Sequence, residues 1–236
     1  MYRHKIRSSG LDSFRVQVEQ TDLFIRAERD LSIEALELVI LGRKRITDWA
    51  ENHPFFLTSL KPLPEDPLAP SPVKEMQHAG RIAGVGPMAA VAGGLAEFVG
   101  LGLLRLSPKG VIVENGGDIF ISAASEIVVG LFAGDASVSL SLGLVVSPDE
   151  NPSGICTSSS TVGHSLSLGK TDAATVKADS AALADAVATA LGNRVKRIQD
   201  IEPALNWAVS LAGVHGAAVV LGDKIGLLGD LNLVQI

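Results

Sequence analysis

Asp185 and Thr189 stand one helical turn apart in the run Asp179-Ser-Ala-Ala-Leu-Ala-Asp-Ala-Val-Ala-Thr-Ala-Leu-Gly192. At that spacing both oxygen-bearing side chains share one helix face and can address a single point. Leu183, Val187 and Leu191 form an apolar stripe, and the opposite face is alanine rather than charge. A helix that is apolar or small all round is buried, and Asp185 is the only ionisable residue between Asp179 and Arg194. A buried carboxylate must be paired, hydrogen-bonded or bound to a metal. A hard cation such as Mg2+ takes oxygen ligands of this kind, which makes Asp185 and Thr189 candidate metal ligands. The competing reading is a capping or loop hydrogen bond to Asp185, with Thr189 bonding back to its own helix. Asp179 or Ser180 is the expected cap, and Gly192 is expected just past the helix end.

Two further constellations could carry chemistry. Asn115-Gly116-Gly117-Asp118 lies between two apolar runs. It reads as a hairpin turn, or as a ligand loop in which the glycines bring backbone N–H groups close to a phosphate or a flavin ring and Asp118 accepts hydrogen bonds. The second is Gly154-Ile-Cys156-Thr157-Ser158-Ser159-Ser160-Thr161-Val-Gly-His164-Ser165. Its hydroxyls and amides suit an anion, His164 titrates near neutrality and is a candidate general base, and Cys156 is a candidate nucleophile if a neighbour lowers its pKa. A flexible polar loop and an inert buried thiol are the plain alternatives. Neither stretch contains G-x-G-x-x-G or G-x-x-x-x-G-K-[ST], and no Cys/His zinc spacing occurs.

The elements that must position these residues are read from periodicity. Phe14–Gln20 and Leu23–Glu28 alternate apolar and polar and predict a hairpin around Thr21-Asp22. Ser32–Trp49 predicts an amphipathic helix with Ile33, Leu36, Ile40 and Leu41 on its inner face. Six prolines between Pro54 and Pro72 predict an irregular loop. His78-Ala-Gly-Arg81 leads into a Gly/Ala-rich helix expected from about Pro87 to Leu104. Strands are expected at Val111–Glu114, Asp118–Ile121, Glu126–Phe132 and Val138–Val146, the last two around a Gly134-Asp135 turn. Ser147–Asp172 reads as a long polar loop. A short strand at Ala173–Lys177, the Asp185 helix, a second helix at Ile201–Leu211 and closing strands at Ala217–Leu221 and Ile225–Ile236 complete the chain. Strands, helix, helix, strands, repeated once, describe an α+β fold with antiparallel sheet rather than βαβ alternation.

Composition bounds the classes of function. The 236 residues are 47% hydrophobic and 19% charged, enough for a substantial core. A net charge of -6 argues against a surface that tracks nucleic-acid phosphates. The start shows no basic stretch followed by an apolar run, and the single cysteine cannot form an internal disulfide, so the cytoplasm is the expected compartment. Ile82–Leu104 carries one charge, Glu97, but six glycines and a proline. That composition predicts a buried, closely packed helix rather than a membrane span.

Taken in order, the Gly/Ala-rich helix, Asn-Gly-Gly-Asp, the Thr-Ser loop with a His, and Ala-Leu-Ala-Asp-Ala-Val-Ala-Thr-Ala-Leu resemble the ApbE-like superfamily over roughly residues 80 to 235. The resemblance implies a T-fold-like, duplicated arrangement of antiparallel sheets with helices. It also implies a single ApbE-like domain built from two pseudo-repeated halves, about 1–123 and 124–236. In the flavin transferases of that superfamily, Asp and Thr on the late helix help bind Mg2+, and the Gly-Gly-Asp and His-bearing segments line the FAD site. The resemblance therefore implies Asp185 and Thr189 for the metal, Asn115 to Asp118 for the ligand, and His164 as a base. Two segments depart from the transferases. Their Gly-Ile-Ala-Lys-Gly becomes Val85-Gly-Pro-Met-Ala-Ala90, without the lysine, and their His-x-x-Asp-Pro-x-Thr-Gly becomes His164-Ser-Leu-Ser-Leu-Gly-Lys-Thr-Asp172. The run Cys156–Leu166 resembles more closely an uncharacterised sister family, some of whose members are linked to homocysteine formation in anaerobes. The expectation is a small-molecule enzyme or accessory factor in sulfur-amino-acid synthesis. The alternatives are an Mg2+-dependent FAD:protein FMN transferase and a non-catalytic module holding flavin or another phosphate ligand. A small-molecule ligand, with a protein partner or a second copy of the chain, is expected; nucleic acid and membrane are not.

Overall fold

The computed structural model describes residues 10–130, 142–148, 151–159 and 169–235. The first alternating stretch forms β1 (Asp12–Val18) and β2 (Thr21–Ala27), paired antiparallel. Phe14, Val16, Leu23 and Ile25 are buried, as a period of two requires. The hairpin turns at Glu19 and Gln20, two residues before the expected position, with Glu19 at a φ of 51°.

Helix α1 (Ser32–Asn52) forms where expected but faces the other way. Its buried residues are Ala35, Val39, Gly42, Ile46 and Ala50. Ile33 is 72% and Ile40 51% exposed, and Leu36 and Leu41 are also exposed. The expected inner face is therefore the outer one. The helix carries two apolar faces, and the one with small residues packs. A Cβ on Gly42 would lie 2.7 Å from Leu95 and 2.9 Å from Phe98, so only the Gly42 side admits so close a neighbour.

The proline-rich segment is irregular apart from a short 3-10 turn at Pro54–Phe56. It ends at a helix absent from the expected elements, α2 (Val73–Ala83). Its signal was present: Val73, Met76, Gln77 and Gly80 keep helical spacing and are buried, with Pro72 before the first turn and Gly84 after the last at a φ of 75°. A 3-10 turn at Pro87–Ala90 then leads into α3 (Val91–Leu103). The glycines of α3 serve close packing, as a buried helix requires. A Cβ on Gly100 would lie 2.1 Å from the Phe120 ring. Among the described residues no single helix is long and apolar enough to cross a membrane.

The remaining elements are β3 (Gly110–Asn115), β4 (Asp118–Ala123), β5 (Ile127–Gly130), β6 (Leu142–Val146), β7 (Ser153–Ser158), β8 (Ala173–Ala178), α4 (Ala181–Arg194), α5 (Ile201–Val209), β9 (Val214–Leu221), β10 (Lys224–Gly229) and β11 (Asn232–Gln235). The main sheet has eight strands in the order β1-β2-β3-β4-β7-β8-β9-β10, every pairing antiparallel. The order strand, strand, helices, strand, strand recurs on either side of the β4–β7 pairing. A second antiparallel sheet, β11-β6-β5, completes an α+β fold. The turn expected at Gly134-Asp135, between β5 and β6, lies outside the described residues.

Side chains sort the layers. Val111, Val113, Phe120 and Cys156 join the core under the helices, while Ile112, Ile119, Ile121 and Ile155 pack with Ile127, Val129 and Leu144 of the small sheet. Both faces of the central strands are therefore covered.

The expected loop at Ser147–Asp172 is corrected by β7, which sits mid-sheet between β4 and β8. Its Gly, Ser and Thr content suggested a loop, but small residues there let α4 lie on the strand. A Cβ on Gly154 would fall 2.3 Å from the Cα of Ala181. Helix α4 begins at Ser180, whose hydroxyl accepts from the Leu183 N–H at 3.1 Å, and it runs two residues beyond Gly192.

Candidate functional site

Two of the sequence-selected constellations meet at one peptide unit, Ala92–Gly93, in the first turn of α3. Asn115, at the end of β3, donates its side-chain N–H to the Ala92 carbonyl at 3.1 Å. Asp185, on α4, accepts the Gly93 N–H at 2.9 Å and also a hydrogen bond from the Ala92 N–H. The first N–H groups of a helix have no partner within it, and a carboxylate there is favoured by the helix dipole. Asp185 thus caps α3 from a neighbouring helix, across 92 positions of sequence.

Burial nevertheless keeps this carboxyl uncomfortable. Asp185 is 8% exposed, and loss of hydration pushes its pKa up to about 7 against the pull of the two backbone donors. Asp118 faces it. Loss of hydration first, and the Asp185 charge second, hold the Asp118 carboxyl well above the usual carboxylate range. Burial and the neighbouring charge of Asp185 thus act in the same direction on Asp118, each favouring the neutral carboxyl.

Asp118 is also the register partner of Cys156 across β4 and β7, and its carboxyl hydrogen-bonds the thiol. The Cys156 Sγ–H donates to the Ala181 carbonyl at 3.3 Å, and the residue is fully buried. Burial, then the charges of Asp118 and Asp185, push the thiol pKa well up. A thiolate nucleophile needs the opposite surroundings. Cys156 therefore acts here as a small packed side chain that donates a weak hydrogen bond.

The Asn115–Asp118 turn forms as the sequence predicts. Gly116 and Gly117 take φ values of 67° and 116°, and the Gly117 carbonyl accepts the Thr157 N–H at 3.3 Å. Thr157 faces Thr175 across β7 and β8, and their hydroxyls hydrogen-bond at 2.9 Å. Gly116 is exposed, and Asn115, Asp118, Thr157, Ser158, Ser159 and Thr189 are half-buried, so the acidic pair is approached from the turn. Ser160, Thr161 and His164 lie outside the described residues. Glu97, the single charge of the Ile82–Leu104 stretch, is a further residue of this region. Its Oε2 accepts the Ala182 N–H at 3.0 Å, capping α4 beside Ser180, and burial raises its pKa. A lone carboxylate in an apolar helix was the signal, the same one that singled out Asp185.

Among the described residues no three His, Cys, Asp or Glu side chains cluster as a metal cage. The donors described are the carboxylates of Asp118 and Asp185, with the Thr157 and Thr189 hydroxyls on the adjoining strand and helix. That set fits a hard cation such as Mg2+, which commonly takes one or two carboxylates and completes its shell with water and ligand phosphate. A cavity of about 620 Å3 lies elsewhere, lined by Trp49, His53, Phe55, Phe56, Leu63 and Gln77 among others, and none of the sequence-selected residues lines it.

Known proteins are similar to this chain in sequence and in fold. The model of the family described as AbpE bacteria matches residues 3–227. UPF0280 proteins from Methanococcus aeolicus and Methanocaldococcus jannaschii are each 38% identical over 222 and 224 residues, covering 92% of this chain and 90% of theirs. The fold is similar to the crystal structure of the apbe protein from Thermotoga maritima, with a TM-score of 0.60 at 13% identity over 92% of this chain and 96% of that one. It is also similar to the flavinyl transferase ApbE of Pseudomonas stutzeri in its apo form, with a TM-score of 0.53 at 14% identity over 93% and 94%. The family model and the UPF0280 proteins match over nearly the whole length: the chain belongs to the AbpE bacteria family, alongside UPF0280 proteins.

Proposed function

We propose that the protein is a small-molecule enzyme or accessory factor that holds a phosphate-bearing ligand, with a divalent cation, at the Asp118–Asp185 pair. The observation that carries this reading is the pair itself: two carboxyls brought together by different elements, both with raised pKa. A cation there would offset the charge that burial penalises. Asp118 and Asp185 would hold it, with Thr189 one turn along α4; when bound, it would supply charge compensation for ligand phosphates. Asp185 fixes the first turn of α3, and Asn115 fixes the same turn from the other side. The backbone at Gly116 and Gly117 is open to a planar or anionic group.

Flavin nucleotide is the first ligand to test, because the similar P. stutzeri structure is a flavinyl transferase. Covalent flavin transfer is the second reading. Pro87 sits in a 3-10 turn in the stretch where the transferases carry their lysine. A cytoplasmic setting and a role in homocysteine formation are further proposals that rest on the sequence resemblance alone. The burial of Cys156 means that any sulfur chemistry would proceed on the ligand rather than through this thiol.

Isothermal titration of the protein with Mn2+ or Mg2+, with and without FAD, tests the reading. Cation binding that weakens at least about tenfold in Asp118→Asn and Asp185→Asn supports it, the order of loss expected when a ligand is removed. Absence of binding in the wild-type protein at millimolar cation, with FAD present, overturns it.

A further inference from the structure

The cavity of about 620 Å3 has the size of a site for a small organic molecule. Trp49 near the end of α1, the 3-10 turn at Pro54–Phe56 and the irregular segment at 63–67 enclose it, and Gln77 of α2 completes the lining. Trp49 and His53 stack with ring centroids 3.9 Å apart and planes within 9°. Phe55, which also lines the cavity, is exposed. These flat rings are surfaces on which another ring packs well. Pro54, Pro64 and Pro67 fix the backbone around them, so little order remains to be imposed on binding.

The polar groups of the lining say what kind of ring. Gln77 is 4% exposed, and its Oε1 accepts the Asp66 N–H at 3.2 Å, which orients the amide. Its NH2 group then has no hydrogen-bond partner among the described residues, although the side chain lines the cavity. A buried donor without an acceptor carries a cost that an acceptor on a ligand removes. Asp66 stands beside it. One carboxylate oxygen accepts the Leu68 N–H at 2.8 Å, and the other has neither a hydrogen bond nor a cation among the described residues. Glu65, by contrast, is held by Arg81 and His78. The lining therefore offers a donor next to an acceptor, and no Lys or Arg lines it. A group with a carbonyl next to an N–H complements that pair. An anionic ligand would meet the Asp66 charge with nothing to offset it.

We propose that this cavity is a second ligand site, for an uncharged ring compound with a carboxamide or lactam edge. The ring packs against Trp49, His53 and Phe55, the carbonyl accepts from the Gln77 amide, and the N–H donates to Asp66. The site stands apart from the acidic pair, so its occupancy does not depend on a cation there.

Indole-3-acetamide is a suitable probe. Indole-3-acetate is its anionic counterpart, and the N,N-dimethyl amide keeps the carbonyl but lacks the amide N–H. Isothermal titration should give a Kd at or below about 1 mM for the amide. Both counterparts should bind at least about tenfold more weakly, the order of one hydrogen bond to a charged group. Asp66→Asn keeps an acceptor for the Leu68 N–H and turns the free oxygen into a donor, which should weaken the amide about tenfold. Phe55→Ala, at an exposed position, should weaken it about threefold or more through lost ring contact. Gln77→Glu keeps an acceptor for the Asp66 N–H and removes the donor, with a loss of about tenfold. Because Gln77→Glu buries a second carboxylate beside Asp66 and can unfold the protein, the two accessible variants carry the test without it. Asp185→Asn should bind the amide as the wild type does. Failure of the wild type to bind the amide at millimolar concentration, equal binding of indole-3-acetate, or unchanged affinity in Asp66→Asn and Phe55→Ala overturns the proposal.

Discussion

The Oδ2 of Asp185 accepts the backbone N–H of Gly93 at 2.9 Å, joining α4 to the first turn of α3. Gly93 is required for the approach, because a Cβ there would lie 2.2 Å from the Ala181 carbonyl oxygen and 2.8 Å from the Asp185 Cβ. The bond makes one carboxylate a structural cap and a member of an acidic pair at the same time.

Asp185 holds its proton more tightly when folded, up to a pKa of about 7. Between an ordinary carboxylate value of about 4 and pH 7 the unfolded chain gives up this proton and the native protein keeps it. Stability is then fully present at the acid end of that window, falls as pH rises through it, and levels off above it. Asp118 acts in the same direction. Urea unfolding at several pH values should show this slope in wild type and a shallower one in Asp185→Asn, which keeps an acceptor for Gly93. Cation binding requires the deprotonated carboxylate, so Mg2+ should stabilise the protein more at pH 8 than at pH 5.

Gly93→Ala should cost about 1–3 kcal/mol, the usual penalty for forcing a methyl group into a packed contact. Because the clash is with the Ala181 backbone, α3 must move away from α4, and the Asp185 bond should weaken with it. Chemical denaturation measures the first effect. A lowered Asp185 contribution to the pH slope measures the second.

Cys156 should resist labelling in the native protein. Its thiol is buried and hydrogen-bonded to the Ala181 carbonyl, and its pKa is raised. Reaction with a thiol reagent at pH 8 should run at least about tenfold slower than in urea, because the thiolate is the reacting species. Fast native labelling would restore Cys156 as a nucleophile. Cys156→Ala should fold, with a loss of roughly 1 kcal/mol from its small cavity and missing hydrogen bond.

Covalent flavin transfer should be absent or slow. The chain has Val85-Gly-Pro-Met-Ala-Ala90 where the resembling transferases carry a lysine. Incubation with FAD, Mg2+ and an acceptor protein bearing a flavinylation sequence, read by mass spectrometry, should leave the acceptor unmodified. Robust attachment of FMN would establish the transferase reading in its place.

The sequence by itself determined most of the elements and one feature of the site. Alternation gave the β1–β2 hairpin, an Asn-Gly-Gly-Asp turn joined β3 to β4, and the alanine-rich run with its single carboxylate marked α4 as buried. These are local signals, set by period, turn chemistry and the cost of burying charge. Tertiary structure decided the rest. Helix α1 offered two apolar faces, and packing against Leu95 and Phe98 chose the one with Gly42, leaving Ile33 and Ile40 outside. The Ser/Thr/Gly run became β7 because α4 needs small residues beneath it, a requirement that exists only once the two are in contact. Cys156 and Asp118 became partners by strand register, and Asp185 found its hydrogen-bond donors on a helix 92 positions away. Composition and spacing along the chain carry no record of contacts made between elements so distant in sequence. Close packing selects among the faces that local pattern leaves equivalent, and that selection is the part only the folded chain contains.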